Sequence, residues 1–380
     1  MRTIAAAIAG ALALCGCSDN PVPTVSTETT AIVGAAALVG PDLRLVEDAV
    51  LVIEGGSIAA VGPATEVVVP ASARTVDASG NTLVPGFIDA HVHIGFYDPA
   101  EVVENGVTTV RDLAWPPARI WPLVRESRAR GFDGPSIVAA GPMITAPGGY
   151  PTRAGWAPPG TGLPVSTREE AKRAVGSVAE AGATIVKVAL NPPAGPTLSP
   201  RLLVAIVEEA HARSLRVTGH VAGLDQLELA LAARMDELAH MLMGEDRIPE
   251  PLLRRMVDAG MAVVPTLSVR EGRELLVAID NLAGFVDAGG TVVYGTDLGN
   301  EGPAPGIDHT EIERMARAGM SARAIVASAT SVSAGWLGLD AKGVLARGMD
   351  ADIVALEGDI EDPASLTRVV RVWRLGRAIR

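Results

Sequence analysis

Cysteine is nearly absent: 380 residues hold two, Cys15 and Cys17, both close to the N-terminus. The body of the chain therefore has no disulfide and no thiolate metal site, and a metal there must be held by histidine, carboxylate or something less usual. Lysine is almost as scarce. Lys172, Lys187 and Lys342 are the three, nearly all positive charge being written as arginine. Acidic residues dominate, with Lys+Arg 32 against Asp+Glu 44 and a formal net charge of −12. That balance argues against a nucleic-acid partner. Aromatic residues make up only 3%. No Gly-rich phosphate loop follows the first strand of the central region, which disfavours an open doubly wound sheet. Hydrophobic residues at 48% and charged residues at 20% form a globular composition. Disordered, collagen-like and low-complexity architectures are excluded. At about 150 residues per domain the length suggests two or three units.

Arg2 and the apolar run over 4–14 make a signal-peptide pattern, too short for a bilayer span of about 20 residues. Leu14-Cys15-Gly16-Cys17 resembles a bacterial lipobox, in which the last Cys is lipidated. Residues 1–17 are thus expected to be a leader ending at the modified Cys17. Residues 18–30, rich in Ser, Thr and Pro, read as a flexible tether. The expected location is the cell envelope, lipid-anchored on the periplasmic side of the outer membrane or at the cell surface. An ordinary secretory signal cleaved nearby is the alternative. No other stretch resembles a membrane span, so the anchor is the only expected membrane contact.

From 31 to 85 short β-like runs are broken by turns, and Gly55-Gly56 is a hairpin signal. A second β-like region, 341–380, closes the chain. Neither is long enough to bury a sheet alone, so the two are expected to form one small discontinuous β-sandwich. Between them, 86–340 alternates apolar strands with helical spacing. Strands are predicted over 87–91, 107–113, 136–141, 184–190, 216–221, 236–241, 262–268 and 291–298. Helices are predicted over 167–181, 200–212 and 249–259. Eight such units fit the roughly 250 residues of a (β/α)8 TIM-like barrel, an α/β fold.

Barrel chemistry gathers at the C-terminal ends of the strands. Four of the six histidines stand there: His91, His93, His220 and His240, with Asp297 at the end of the last strand. His91 and His93 are two apart, so their side chains project from one face of an extended strand and can grip one divalent ion. The last strand neighbours the first when a barrel closes, which lets Asp297 complete that site. His220 and His240 lie one β/α unit apart. Imidazole and carboxylate suit Zn2+, with Mn2+, Fe2+ or Co2+ as alternatives. Lys187 sits inside an apolar strand, where an ammonium group is costly and its pKa falls. His211 on a helix and His309 beside a capping Asp308 read as structural. Asp89 and Asp112 can orient ligands. For substrate contacts the loops offer Trp115, Tyr150, Arg153 and Trp156, with Met243 after the sixth strand. Arg153 can pair with a carboxylate, and the tryptophans can line an apolar pocket.

Val84-Pro-Gly-Phe-Ile-Asp-Ala-His-Val-His93 resembles the first-strand signature of the amidohydrolase superfamily, and Tyr294-Gly-Thr-Asp297 resembles its last. Val107-Thr-Thr-Val-Arg-Asp-Leu113 and Ile185-Val-Lys187 are most similar to its imidazolonepropionase- and Xaa-Pro-dipeptidase-like branch. That resemblance implies one metal on His91, His93 and Asp297 and a second on His220 and His240. It further implies a carbon dioxide-derived carbamate on Lys187 (N6-carboxylysine) bridging them. A metal-bridging hydroxide would attack the scissile carbonyl, with Asp297 as general base and then acid. The implied function is hydrolysis of a C–N bond in a small-molecule amide, with dipeptides and N-acyl amino acids first. Three rivals stay open. A mononuclear cyclic-amide hydrolase or deaminase would leave Lys187 structural; an esterase or lactonase would use the same site; a non-enzymatic envelope binding lipoprotein is opposed by the intact ligand set. A monomer and a homo-oligomer fit the sequence equally.

Overall fold

The computed structural model describes residues 28–242, 244 and 246–380. The leader, Cys17, most of the tether and Met243 lie outside the described residues. Five strands open the described chain: β1 (Thr30–Val39), β2 (Arg44–Glu54), β3 (Ser57–Pro63), β4 (Arg74–Asp77) and β5 (Asn81–Pro85). The Gly-Gly signal marks the β2–β3 hairpin, with Glu54 opposite Ser57 and both glycines at positive φ, 61° and 97°. Left-handed backbone at both turn positions is what glycine allows.

The parallel strands follow. They are β6 (Phe87–Val92), β7 (Val107–Asp112), β8 (Ser136–Ala139), β9 (Met143–Thr145) and β10 (Gly162–Pro164). Next come β11 (Ile185–Leu190), β12 (Arg216–Val221), β13 (Glu237–Leu238) and β14 (Ala262–Val263). The chain ends in β15 (Ile353–Glu357), β16 (Val369–Arg374) and β17 (Arg377–Ala378). Both chain ends contribute to one eight-stranded sheet, in the order β17-β16-β15-β5-β1-β2-β3 with β4 on β1. Its joint is the antiparallel pairing of β5 with β15, Val84 opposite Val354. Gly86 then leads from β5 into β6. A Cβ there would lie 2.1 Å from the Thr108 hydroxyl, so only glycine permits this approach.

In the central region β6, β7 and β8 pair in parallel, as do β11, β12, β13 and β14. Isolated bridges and backbone hydrogen bonds, not continuous ladders, cross the gaps between these sets. Thr184 N–H donates to Ala139 O at 3.1 Å, Val263 bridges Val292, and Val92 bridges Leu298. Helices cover the outside. Arg168–Ala181 starts in a capping box between Thr167 and Glu170, and Pro200–Ala212 starts with Ser199 as N-cap and proline in the first turn. Both satisfy the backbone N–H groups that a helix start leaves open. The result is a TIM-barrel-like α/β fold.

The last three predicted strands are shorter than their apolar patterns suggest. Only two residues each pair as β13 and β14, and 291–298 makes isolated bridges instead of a strand. For the last two the physical reason is local backbone: Thr266 and Asp297 hold φ of 47° and 62°, a left-handed conformation that breaks a ladder. Arg111 and Glu237 form a fully buried ion pair from β7 to β13 at 2.6 Å. Trp336 Nε1 donates to the other Glu237 oxygen, and Arg111 Nε donates to Ala90 O. Such a pair survives burial because its hydrogen bonds are filled.

A candidate metal centre at the strand ends

His91 ends the apolar run of β6, and His93 stands just beyond it. Both rings are fixed from behind. Nδ1 of His91 is 2.7 Å from Ala239 O, and Nδ1 of His93 is 3.3 Å from Ala114 O. A carbonyl oxygen only accepts, so Nδ1 of each ring carries the proton and each Nε2 presents a lone pair. Both Nε2 atoms lie 3.2 Å from Asp297 Oδ1. That oxygen is buried and makes no hydrogen bond. The three ligand atoms fall within 4.8 Å of one another. Three converging acceptors repel each other unless a cation lies among them, so the donor set fits a divalent metal ion.

Asp297 reaches this position through strained backbone. Its φ is 62°, and its N–H donates to His91 O at 2.8 Å. An unusual backbone conformation held by its surroundings is typical of functional sites. Its second oxygen, Oδ2, lies 3.7 Å from His240 Nδ1, so the carboxylate spans both histidine pairs. His220 Nδ1 and His240 Nε2 are 3.1 Å apart. Thr266 Oγ1 lies 2.9 Å from His240 Nδ1, and Asn191 Nδ2 lies 3.1 Å from His220 Nε2. Burial drives the pKa of His220 down to about 3 and holds those of His91 and His240 well below the usual range, Lys187 adding to each. Burial also opposes the charged form of His93, but the facing Asp297 carboxylate, with Asp112 adding to it, outweighs burial, and its pKa rises. Neutral imidazoles are the form that binds metal.

Lys187 lies on β11 two residues before Ala189, which pairs with His220. Its side chain is buried and Nζ has no hydrogen-bond partner. Burial lowers its pKa to about 7 despite the nearby Asp297 and Glu237 carboxylates. An orphaned amine that is partly neutral at physiological pH fits carbamate formation. Asp89 and Asp112 act on backbone instead of on the imidazole rings. Asp89 accepts from His91 N–H and from the N–H and hydroxyl of Thr296, whereas Asp112 accepts from Ile94 N–H. They fix the chain on either side of the ligands.

A cavity of about 410 Å3 opens above these groups. Tyr150 and Trp156 line it, as the sequence suggests, together with Phe96, Met143, Val269, Asn300 and Glu301, which sequence reasoning missed. Trp115 is buried behind Phe96, and Arg153 is exposed and packs over Gly148, away from the wall. Asn191 and Thr266 were also missed, although Asn191 stands just beyond one predicted apolar strand and Thr266 lies inside another. His211 pairs with Asp236 at 2.9 Å far from the cluster, and His309 begins a helix capped by Asp308, both structural as expected.

The loop after β14 is tied down by a buried acidic pair. Glu311 accepts from Ser268 N–H at 2.7 Å, and the Ser268 hydroxyl reaches Asp308 and Glu311. Burial lifts the Glu311 pKa from 4.5 to about 8 against these hydrogen bonds. The folded state therefore keeps a proton that the unfolded chain has released. The sign follows: this stabilisation is complete below about pH 4.5 and is lost as pH rises through about 8. Glu311→Gln is expected to flatten the decline of the urea midpoint between about pH 5 and 8. Parallel slopes in wild type and variant would contradict the assignment.

A barrel-like fold with buried His, His and Asp at its strand ends defines a metal-dependent hydrolase. The chain belongs to the Amidohydrolase family, whose model matches residues 82–379. It is an enzyme hydrolysing carbon–nitrogen bonds. The ochratoxinase of Aspergillus niger is 26% identical over 437 aligned positions, covering 95% of this chain and 89% of that protein. Among solved structures, a Xaa-Pro dipeptidase with bound methionine superposes with a TM-score of 0.78 at 22% identity, covering 92% of this chain and 99% of that one. Phenylurea hydrolase B gives a TM-score of 0.78 at 21% identity, covering 92% and 96%.

Proposed function

We propose that the protein hydrolyses an amide or peptide-like C–N bond of a small molecule at a centre of two divalent ions, zinc first. The carrying observation is the buried convergence of His91 Nε2, His93 Nε2 and Asp297 Oδ1, three acceptors with no hydrogen bond among them. Those residues would hold one ion, and His220 and His240 the other. Lys187, as a carbamate formed from its amine and carbon dioxide with loss of a proton, would add a carboxylate-like ligand to this set. Bound there, divalent ions lower the pKa of water and polarise a scissile carbonyl. Asp297 takes the proton from the attacking water and returns it to the leaving nitrogen. Tyr150 and Trp156 hold the substrate against the ligand set. Dipeptidase and ochratoxinase relatives support the peptide-like substrate class.

A mononuclear reading is favoured by one observation: among the described residues only His91, His93 and Asp297 form a three-ligand group. An ester or lactone would meet the same groups, and matched ester and amide substrates separate that activity. The reading extends to a (β/α)8 barrel over 86–340, with 31–85 and 341–380 forming the composite β-sandwich. It also includes a lipid anchor at Cys17, which would hold the enzyme outside the cytoplasm. Chelation is expected to abolish amide hydrolysis and added zinc to restore it. Full activity in protein stripped of metal would overturn the proposal.

A further inference from the structure

The cavity has two unlike sides. One is aromatic. The Tyr150 ring lies 4.9 Å from that of His220, and Trp156 lies 5.2 Å from His93, centroid to centroid. Phe96, 43% exposed, meets Trp156 at 6.3 Å and is backed by Trp115 at 4.8 Å. In a chain with 3% aromatic residues, three of them run together along this wall, with Trp115 buried behind. The other side is the loop that leaves Asp297. Gly299, at φ 125°, crosses so close to His93 that a Cβ would lie 2.7 Å from the histidine Cβ. Asn300 then ties back, its side-chain amide donating to Asp297 O at 3.2 Å. The loop so fixed sets Glu301 among the residues lining the cavity, exposed and, among the described residues, without an ion pair.

Charge on the wall is the second observation. Apart from the imidazoles, the one basic side chain lining the cavity among the described residues is Lys187, buried in the ligand set itself. Arg153, the candidate partner for a substrate carboxylate, lies outside. Beyond the ions proposed at the ligand set, a dipeptide or an N-acyl amino acid would bring a free carboxylate to a wall that offers Glu301 and no separate cation. Like charges brought together at a binding site are penalised strongly. Flat apolar groups, in contrast, gain area and ring contacts on the aromatic side, and a cation gains from both sides.

Resting on the amide-hydrolase reading, we propose that the enzyme selects amides that carry an aromatic group and no carboxylate, and that Glu301 enforces this choice. The substrate is neutral or cationic beyond the scissile bond.

Three probes share one acyl group: the 2-naphthoyl amides of glycine, propylamine and ethylenediamine, which are anionic, neutral and cationic beyond the amide. Their kcat/KM values are measured with the full-length protein, and their binding by titration calorimetry. The neutral and cationic amides are expected to exceed the glycine conjugate by about tenfold or more. Glu301→Arg is expected to shrink that ratio by about tenfold, with Glu301→Gln between the two. Equal or better use of the glycine conjugate by wild type overturns the proposal, as does an unchanged ratio in both variants. Calorimetry separates this inference from the reading beneath it. Binding that ranks as stated and shifts in Glu301→Arg, with no turnover of any probe, sustains the selection and sinks the hydrolase reading for such amides. Equal binding of the three probes, or none, overturns the selection.

Discussion

Asp297→Asn is expected to lose about a thousandfold in kcat/KM while keeping the fold. The carboxylate is placed to do two things. Oδ1 faces the Nε2 atoms of His91 and His93, and Oδ2 faces His240. An amide of the same shape keeps neither the anionic ligand nor the proton acceptor. Asparagine tolerates left-handed backbone better than most residues, so the φ of 62° at this position does not by itself unfold the variant. The far-ultraviolet circular dichroism and melting curve are expected to match wild type while metal content and turnover fall. His220→Ala is expected to lose more than about a hundredfold through the other half of the site. Near-normal turnover in both variants would contradict the assigned roles.

The second large effect concerns Lys187. Its buried Nζ has no hydrogen-bond partner among the described residues and lies beneath a cavity wall of histidines. If the side chain acts as a carbamate, Lys187→Ala removes a carboxylate-like ligand and opens a cavity of matching shape. Activity is expected to drop by more than about a hundredfold and to return in part on adding acetate or propionate, whose carboxylates enter the space. Rescue by a carboxylate separates this role from plain packing, since a structural lysine leaves nothing for an acid to replace. Lys187→Ala with most of its activity and no response to acids would support the mononuclear reading instead.

Much of this site was legible because its residue types are rare and their spacing is physical. His91 and His93 share a face at a strand end; His220 ends β12, whose bounds match the predicted strand at 216–221. The Gly55-Gly56 hairpin and the capped helix at Arg168–Ala181 follow from turn and capping chemistry in the same way. The run at 262–268 misleads because an apolar pattern does not reveal that Thr266 turns left-handed to meet His240. Loops carry no period at all. Arg153, Asn300 and Glu301 are three polar loop residues, and sequence alone does not tell which of them faces the cavity. Contacts such as Gly299 against His93 decide that, and they join residues about two hundred positions apart.

Two metal ions at the ends of the parallel strands are what the proposed chemistry of this chain requires. Metal content of the purified protein by plasma mass spectrometry, after reconstitution with zinc, tests it most directly. About two ions per chain are expected for wild type, falling in both Lys187→Ala and Asp297→Asn. A single ion in wild type and Lys187→Ala alike would contradict the bridged pair, and no bound metal in any of the three would contradict the site as a whole.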